Sequence, residues 1–68
     1  DNLIPKKAGD FDGDGFQEIY WKTYDETSYM RAVMHADGNI QYANYQSEDQ
    51  MKEYLTTNGN IDSINEII

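Results

Sequence analysis

A chain of 68 residues with 13 Asp and Glu, five Lys and Arg, a formal charge of −8 and no cysteine has room for one domain and no disulfide to staple it. Its acidity disfavours a nucleic-acid backbone or an anionic membrane surface as partner, and no apolar run is long enough to insert into a membrane. A hydrophobic fraction of 38% with six Tyr and one Trp still suffices for a small core, which argues against disorder and leaves a bound metal as the natural support.

The chain starts at Asp1 without Met or a signal peptide, so it is expected to be a piece of a longer protein or a mature fragment. Residues 1–9, with Pro5, the Lys6-Lys7 pair and Gly9, read as a linker or short edge segment with little structure before Lys7. Residues 10–68 are expected to form one small calcium-binding domain that opens with the loop 10–18. In that loop Asp10, Asp12 and Asp14 alternate, Gly15 follows, and Glu18 stands three residues further on. Ca²⁺ takes about six to eight hard oxygens at about 2.3–2.6 Å, and alternate side chains of a curled loop can point at one ion. Asp10, Asp12 and Asp14 then fill the first, third and fifth places, the Phe16 carbonyl the seventh and Glu18 the ninth. Gly15 supplies the sharp turn, often at positive φ, that such a loop requires. Without a cation these carboxylates repel by roughly several kcal/mol in total.

The run Gly9-Asp10-Phe11-Asp12-Gly13-Asp14-Gly15, followed by Glu18-Ile19-Tyr20-Trp21, resembles the FG-GAP or VCBS-type repeat of secreted and cell-surface proteins. The resemblance covers about residues 8–24 and implies a Ca²⁺-holding DxDxDG loop joining two strands, with Glu18 standing where that family usually has Asp. An EF-hand would need a bidentate Glu at the twelfth place, which is Trp21 here.

Gln17 to Tyr24 alternates as a strand, Asp25 to Ser28 is turn chemistry, and Tyr29 to Ala36 alternates again. Asp37-Gly38 signals a two-residue type I′ hairpin into a return strand from Asn39 to Tyr45. The resulting three-stranded antiparallel β-meander, residues 17–45, should pair Met30 with Tyr45, Ala32 with Ala43, Met34 with Gln41, Trp21 with Ala32 and Ile19 with Met34. Its face of Ile19, Trp21, Met30, Ala32, Met34, Ala43 and Tyr45 is expected to be the one that is covered. The cover is a helix over 47–58 with a Ser47/Gln50 capping box, Met51, Tyr54 and Leu55 inward, and a stop at Asn58-Gly59. A second capping box from Ser63 to Glu66 starts a short helix over 62–68, pinned by Ile61, Ile64, Ile67 and Ile68. The fold class is thus α+β, with one or two C-terminal helices on one face of the sheet.

Two weaker candidates compete with plain structural roles. Asn58, Asn60 and Asp62 repeat the alternate spacing, but Ser63 stands where glycine should, and a C-cap followed by an N-cap explains them. His35, the lone histidine, lacks the cysteine or histidine partners of a transition-metal site and reads as a surface strand residue near Glu18 and Ile40. The expected function is a non-catalytic Ca²⁺-binding structural module of a larger extracytoplasmic protein, secreted or at the cell surface, with neighbouring domains as partners. The alternative is an adhesion module presenting a protein or carbohydrate ligand to the Tyr20/Tyr42 face, with calcium as scaffold. No nucleophile and base pair points to an enzyme.

Overall fold

The computed structural model describes residues 3–68. Four antiparallel strands lie in sequence order, β1 (Leu3–Gly9), β2 (Glu18–Thr23), β3 (Tyr29–Met34) and β4 (Ile40–Gln46). They are followed by helix α1 (Glu48–Thr57), a 3-10 turn (Ile61–Ser63) and helix α2 (Ile64–Ile67). The class is α+β, but the sheet has four strands where three were expected. Of the two readings of the first segment, residues 3–9 take the edge strand and not the linker, with structure already before Lys7, pairing along β2 from Leu3↔Thr23 to Gly9↔Glu18. Pro5 is tolerated because β1 is an edge strand, and a bulge between Pro5 and Lys7 absorbs the extra residue.

The hairpins form where the turn residues place them, with altered closure. His35 N–H donates to the Asn39 carbonyl at 2.7 Å and Gly38 N–H to the His35 carbonyl at 3.0 Å, so three residues are looped out instead of two. Only Gly38 has positive φ (91°), the arrangement of a turn closed by one left-handed residue and not of type I′. Met34 accordingly faces Ile40 and not Gln41; a bulge follows, after which Ala32↔Ala43 and Met30↔Tyr45 pair as expected. Between β2 and β3 the loop is Tyr24 to Thr27, braced by the Asp25 carboxylate, which accepts from the Thr23 hydroxyl at 2.6 Å and from Thr27 N–H at 3.1 Å. This moves the pairing by two residues, to Trp21↔Met30 and Ile19↔Ala32. An even shift leaves every side chain on its expected side.

The covered side is the reverse of the expected one. Tyr20, Tyr29, Met51, Leu55 and Ile67 are fully enclosed and pack with Phe11 into the core, so α1 and α2 lie on the face of Tyr20 and Tyr29. Tyr45, expected beneath the helix, is 63% exposed. The reason lies in polar partners that a hydrophobic pattern does not contain: the buried Tyr20 hydroxyl donates to Gln46 Oε1 at 2.7 Å.

Helix α1 begins as expected, with Gln50 N–H on Ser47 Oγ and Ser47 N–H on Gln50 Oε1. It ends with Gly59 N–H on the Thr56 carbonyl and Asn60 N–H on the Leu55 carbonyl, Gly59 being left-handed at φ 76°. The second capping box does not form: Ser63 is helical and makes no side-chain cap. Of the four isoleucines only Ile67 is buried and Ile64 partly so, whereas Ile61 and Ile68 are exposed.

Leu55→Ala should therefore cost about 2–5 kcal/mol, and Tyr45→Ala less than about 0.5 kcal/mol, in urea unfolding. A large loss at Tyr45 with little at Leu55 would reverse the assignment of the core face.

Candidate metal centre

The acidic loop is the connection of the β1–β2 hairpin. Its ends are fixed by the Gly9↔Glu18 rung, so Asp10 leaves β1 where Glu18 enters β2. Within it the backbone wraps its own carboxylates. Asp10 Oδ1 accepts from Gly13 N–H and Asp10 Oδ2 from Gly15 N–H, both at 2.9 Å. Asp12 Oδ1 accepts from Asp14 N–H at 3.1 Å, and Asp14 Oδ1 from Phe16 N–H at 2.8 Å. Gly13 and Gly15 have φ of 73° and 89°, and a Cβ on either would meet open space, so backbone conformation alone selects glycine there.

Phe11 turns the other way. It is buried, packs edge-on against Tyr20 with ring centroids 5.5 Å apart, and its carbonyl accepts from Asn60 Nδ2. The loop is thus moored to the core by one aromatic ring and to the segment after α1 by one amide.

Asp10, Asp12 and Glu18 each bring a carboxylate oxygen to within 4.8 Å of the others. Asp14 is outside that group, and Phe16 lies in the loop with its side chain partly exposed. Glu18 is fully buried and heavily engaged. Its Oε1 accepts from Phe11 N–H at 2.9 Å, while Oε2 accepts from Arg31 Nη1 and from the Tyr54 hydroxyl at 2.7 Å. Two donors fill the lone pairs of Oε2, and one remains free on Oε1. Glu18 can therefore offer a cation a single oxygen, alongside the free lone pairs of Asp10 and Asp12. This set of hard oxygens is one that can hold a metal ion.

Arg31 and Tyr54 are functional neighbours that the sequence reading missed. Arg31, the chain's single arginine, lies with its guanidinium 4.6 Å from the Tyr54 ring centroid and 5.6 Å from that of Tyr42. Burial works against its charge, but the Tyr42 and Glu18 side chains outweigh this and raise its pKa. The expected register hid this: Ile19 beside Met34 would set Arg31 opposite Lys22, whereas the observed Glu18↔Val33 pair makes Glu18 and Arg31 diagonal neighbours on one face. Tyr54 falls on the inward face of α1 as expected, but as a hydrogen-bond donor and not only as apolar cover.

The remaining candidates serve other ends. The Asn58 amide donates to the Tyr54 carbonyl at 2.8 Å, and the Asn60 amide to Phe11 and to the Asn58 carbonyl, so both act as donors, which a cation does not need. His35 lies just past β3, exposed, at the hairpin turn. Tyr20 of the expected Tyr20/Tyr42 platform is buried under the helices; Tyr42 is half-exposed, with Arg31 over its ring. Among the described residues no helix is long and apolar enough to cross a membrane. No family model matches this chain, and neither a curated protein nor a solved structure matches it.

Glu18→Gln leaves a buried guanidinium without its counter-charge and should cost on the order of 3 kcal/mol in urea unfolding with a chelator present. The double variant Glu18→Gln/Arg31→Met should lose clearly less than the two single losses added together. Additive losses would mean that the two residues are not coupled. Burial raises the Tyr20 hydroxyl pKa, and burial together with the Glu18 carboxylate raises that of Tyr54. Both stay neutral in the folded chain while the unfolded chain ionises above about pH 10, so the native state holds more protons there and stability falls as pH rises. Urea midpoints taken from pH 8 upward should be flat at first and then decline; a midpoint that rises above pH 10 contradicts this.

Proposed function

We propose that the chain is a non-catalytic Ca²⁺-binding structural module of a larger extracytoplasmic protein, of the kind that FG-GAP and VCBS-type repeats represent. What carries this reading is the convergence of Asp10, Asp12 and Glu18 oxygens in a hairpin loop whose own amides hold the carboxylates in place. Asp10 and Asp12 are the principal ligands, Glu18 contributes one oxygen, and Asp14 and the Phe16 carbonyl complete the shell as the loop closes. The ion offsets three gathered carboxylates that, among the described residues, have only Arg31 as internal counter-charge. Its role is to hold the β1–β2 connection, and no chemistry is asked of it.

A single loop of this type suits the millimolar free Ca²⁺ found outside cells, which supports the extracytoplasmic assignment. The reading in which Tyr20 and Tyr42 present a ligand platform is not carried forward, because Tyr20 is enclosed.

Calorimetric titration should give one Ca²⁺ per chain, with Mg²⁺ much weaker because it prefers tight octahedral geometry and retains its waters. At ten times Kd the ion should add about 1.4 kcal/mol of stability, seen as a higher Tm. Asp12→Ala should abolish both effects. Unchanged Gly13 and Gly15 amide resonances in millimolar Ca²⁺ would sink the proposal.

A further inference from the structure

We infer that the outer edge of β4 takes up an extended, basic segment of another protein, which adds to the sheet as a further strand. The inference does not depend on the metal.

Backbone direction decides where hydrogen bonds are open. Met34 N–H donates to the Gln17 carbonyl on the β2 side at 2.8 Å, and His35 N–H to the Asn39 carbonyl on the β4 side at 2.7 Å. These groups alternate sides along a strand, so Val33, Arg31 and Tyr29 turn theirs to β4 and meet those of Tyr42, Asn44 and Gln46. Ala43 and Tyr45 therefore turn their N–H and C=O groups outward. β4 is the last strand of the sheet, and its residues from Ile40 to Tyr45 are all exposed. A donor and an acceptor repeated on alternate residues along one line are matched by another extended backbone.

The two edges of the sheet differ. At β1, Pro5 has no N–H, a bulge interrupts the ladder, and Lys6 and Lys7 add charge, with Lys7 reaching Glu66. Such devices keep a strand edge from pairing. β4, Ile40-Gln41-Tyr42-Ala43-Asn44-Tyr45-Gln46, has no charged residue and no proline, and its bulge lies beside Ile40 at the turn end. From Tyr42 onward this edge is left open to pairing.

Charge names the occupant. The stretch from Gly38 to Ser47 is uncharged, but acids stand at both ends, Asp37 before it and Glu48 and Asp49 after it. Glu48 is paired with Lys52 at 2.9 Å, whereas among the described residues no cation pairs with Asp37 or Asp49. Antiparallel pairing of β4 with β4 of a second copy would set each Asp37 towards the other's Glu48 and Asp49, on chains that each carry −8. A segment with Lys or Arg at its two ends meets those same acids with opposite charge. The seven residues of β4 span about 23 Å, so cations about seven to nine residues apart reach both ends. Between them Tyr42 and Tyr45, 50% and 63% exposed and on opposite faces, offer rings to cationic and apolar side chains of the incoming strand.

The probe is a synthetic peptide of about nine residues with Lys at both ends and alternating Val and Thr between them. Amide resonances and hydrogen exchange of the chain are followed as the peptide is added to millimolar concentration. Shifted and protected Ala43 and Tyr45 amides are expected, with Kd weakened roughly tenfold or more by Ala43→Pro, by Tyr45→Lys, and by Glu in place of both Lys of the peptide. Ala43→Pro removes an outward N–H and leaves the β3 ladder its bonds; circular dichroism establishes folding, and Tyr45→Lys, at an exposed position, decides if the proline variant does not fold. Ala43 and Tyr45 amides that stay unmoved at millimolar peptide overturn the inference. Equal binding of the Glu-ended peptide overturns it too, as does binding that neither variant weakens, since the peptide then sits elsewhere on the acidic surface. Protection of the same two amides in the chain alone, lost on dilution, overturns it in favour of a second copy.

Discussion

The contact on which the arrangement depends is the buried Glu18 carboxylate with its three donors. Phe11 N–H comes from the acidic loop, Arg31 from β3 and the Tyr54 hydroxyl from α1, so one side chain fastens loop, sheet and helix at a single point. Enclosing a carboxylate and a guanidinium carries a desolvation cost that their attraction only roughly offsets. What the pair contributes is definition. An apolar pair of the same size would let α1 slide or rotate over the sheet, whereas each hydrogen bond here has one angle and one partner. Tyr54 and Tyr42 help by placing aromatic rings against a guanidinium, which is more weakly hydrated than an ammonium and tolerates enclosure better.

The dependence also changes how the loop is understood. Glu18 belongs at once to the acidic cluster and to the core, so that cluster is built on the packed interior and not hung from it. Phe11 reinforces this, since the residue between Asp10 and Asp12 is held by Tyr20. Asp10 and Asp12, which converge with Glu18, thus flank the one side chain of the loop that enters the core.

Local chemistry was the legible part of the fold. Ser47 and Gln50 announced the start of α1, Asn58-Gly59 its end, and alternation located β2, β3 and β4, because each of these depends on neighbours within a few residues. Pro5 and the lysine pair left strand β1 open between a linker and an edge segment, and the edge is what forms. The choice of covered face was not legible at all. Both faces of the sheet are apolar enough to be inside, and what decided between them was the pairing of two hydroxyls and of the Arg31 Nη1 with groups 23 to 36 residues away. In the acidic loop, alternate spacing pointed to Asp10 and Asp12, which do lie together, and equally to Asp14, which does not join them, whereas Arg31 entered only through the register of β2 on β3.

The last rung of the β1–β2 ladder sets Gly9 against Glu18, directly beside Asp10 and Asp12, and β1 is tied at its other side by Lys7 to Glu66 on α2. Those two ties join stretches that are distant in sequence or mutually repulsive, while β2, β3 and β4 are connected by short turns. Closing the β1–β2 hairpin brings its own acids together, an electrostatic cost that the later, shorter turns do not carry. Anything that shields the clustered acids thus lowers the cost of fastening the edge strand to the rest of the sheet.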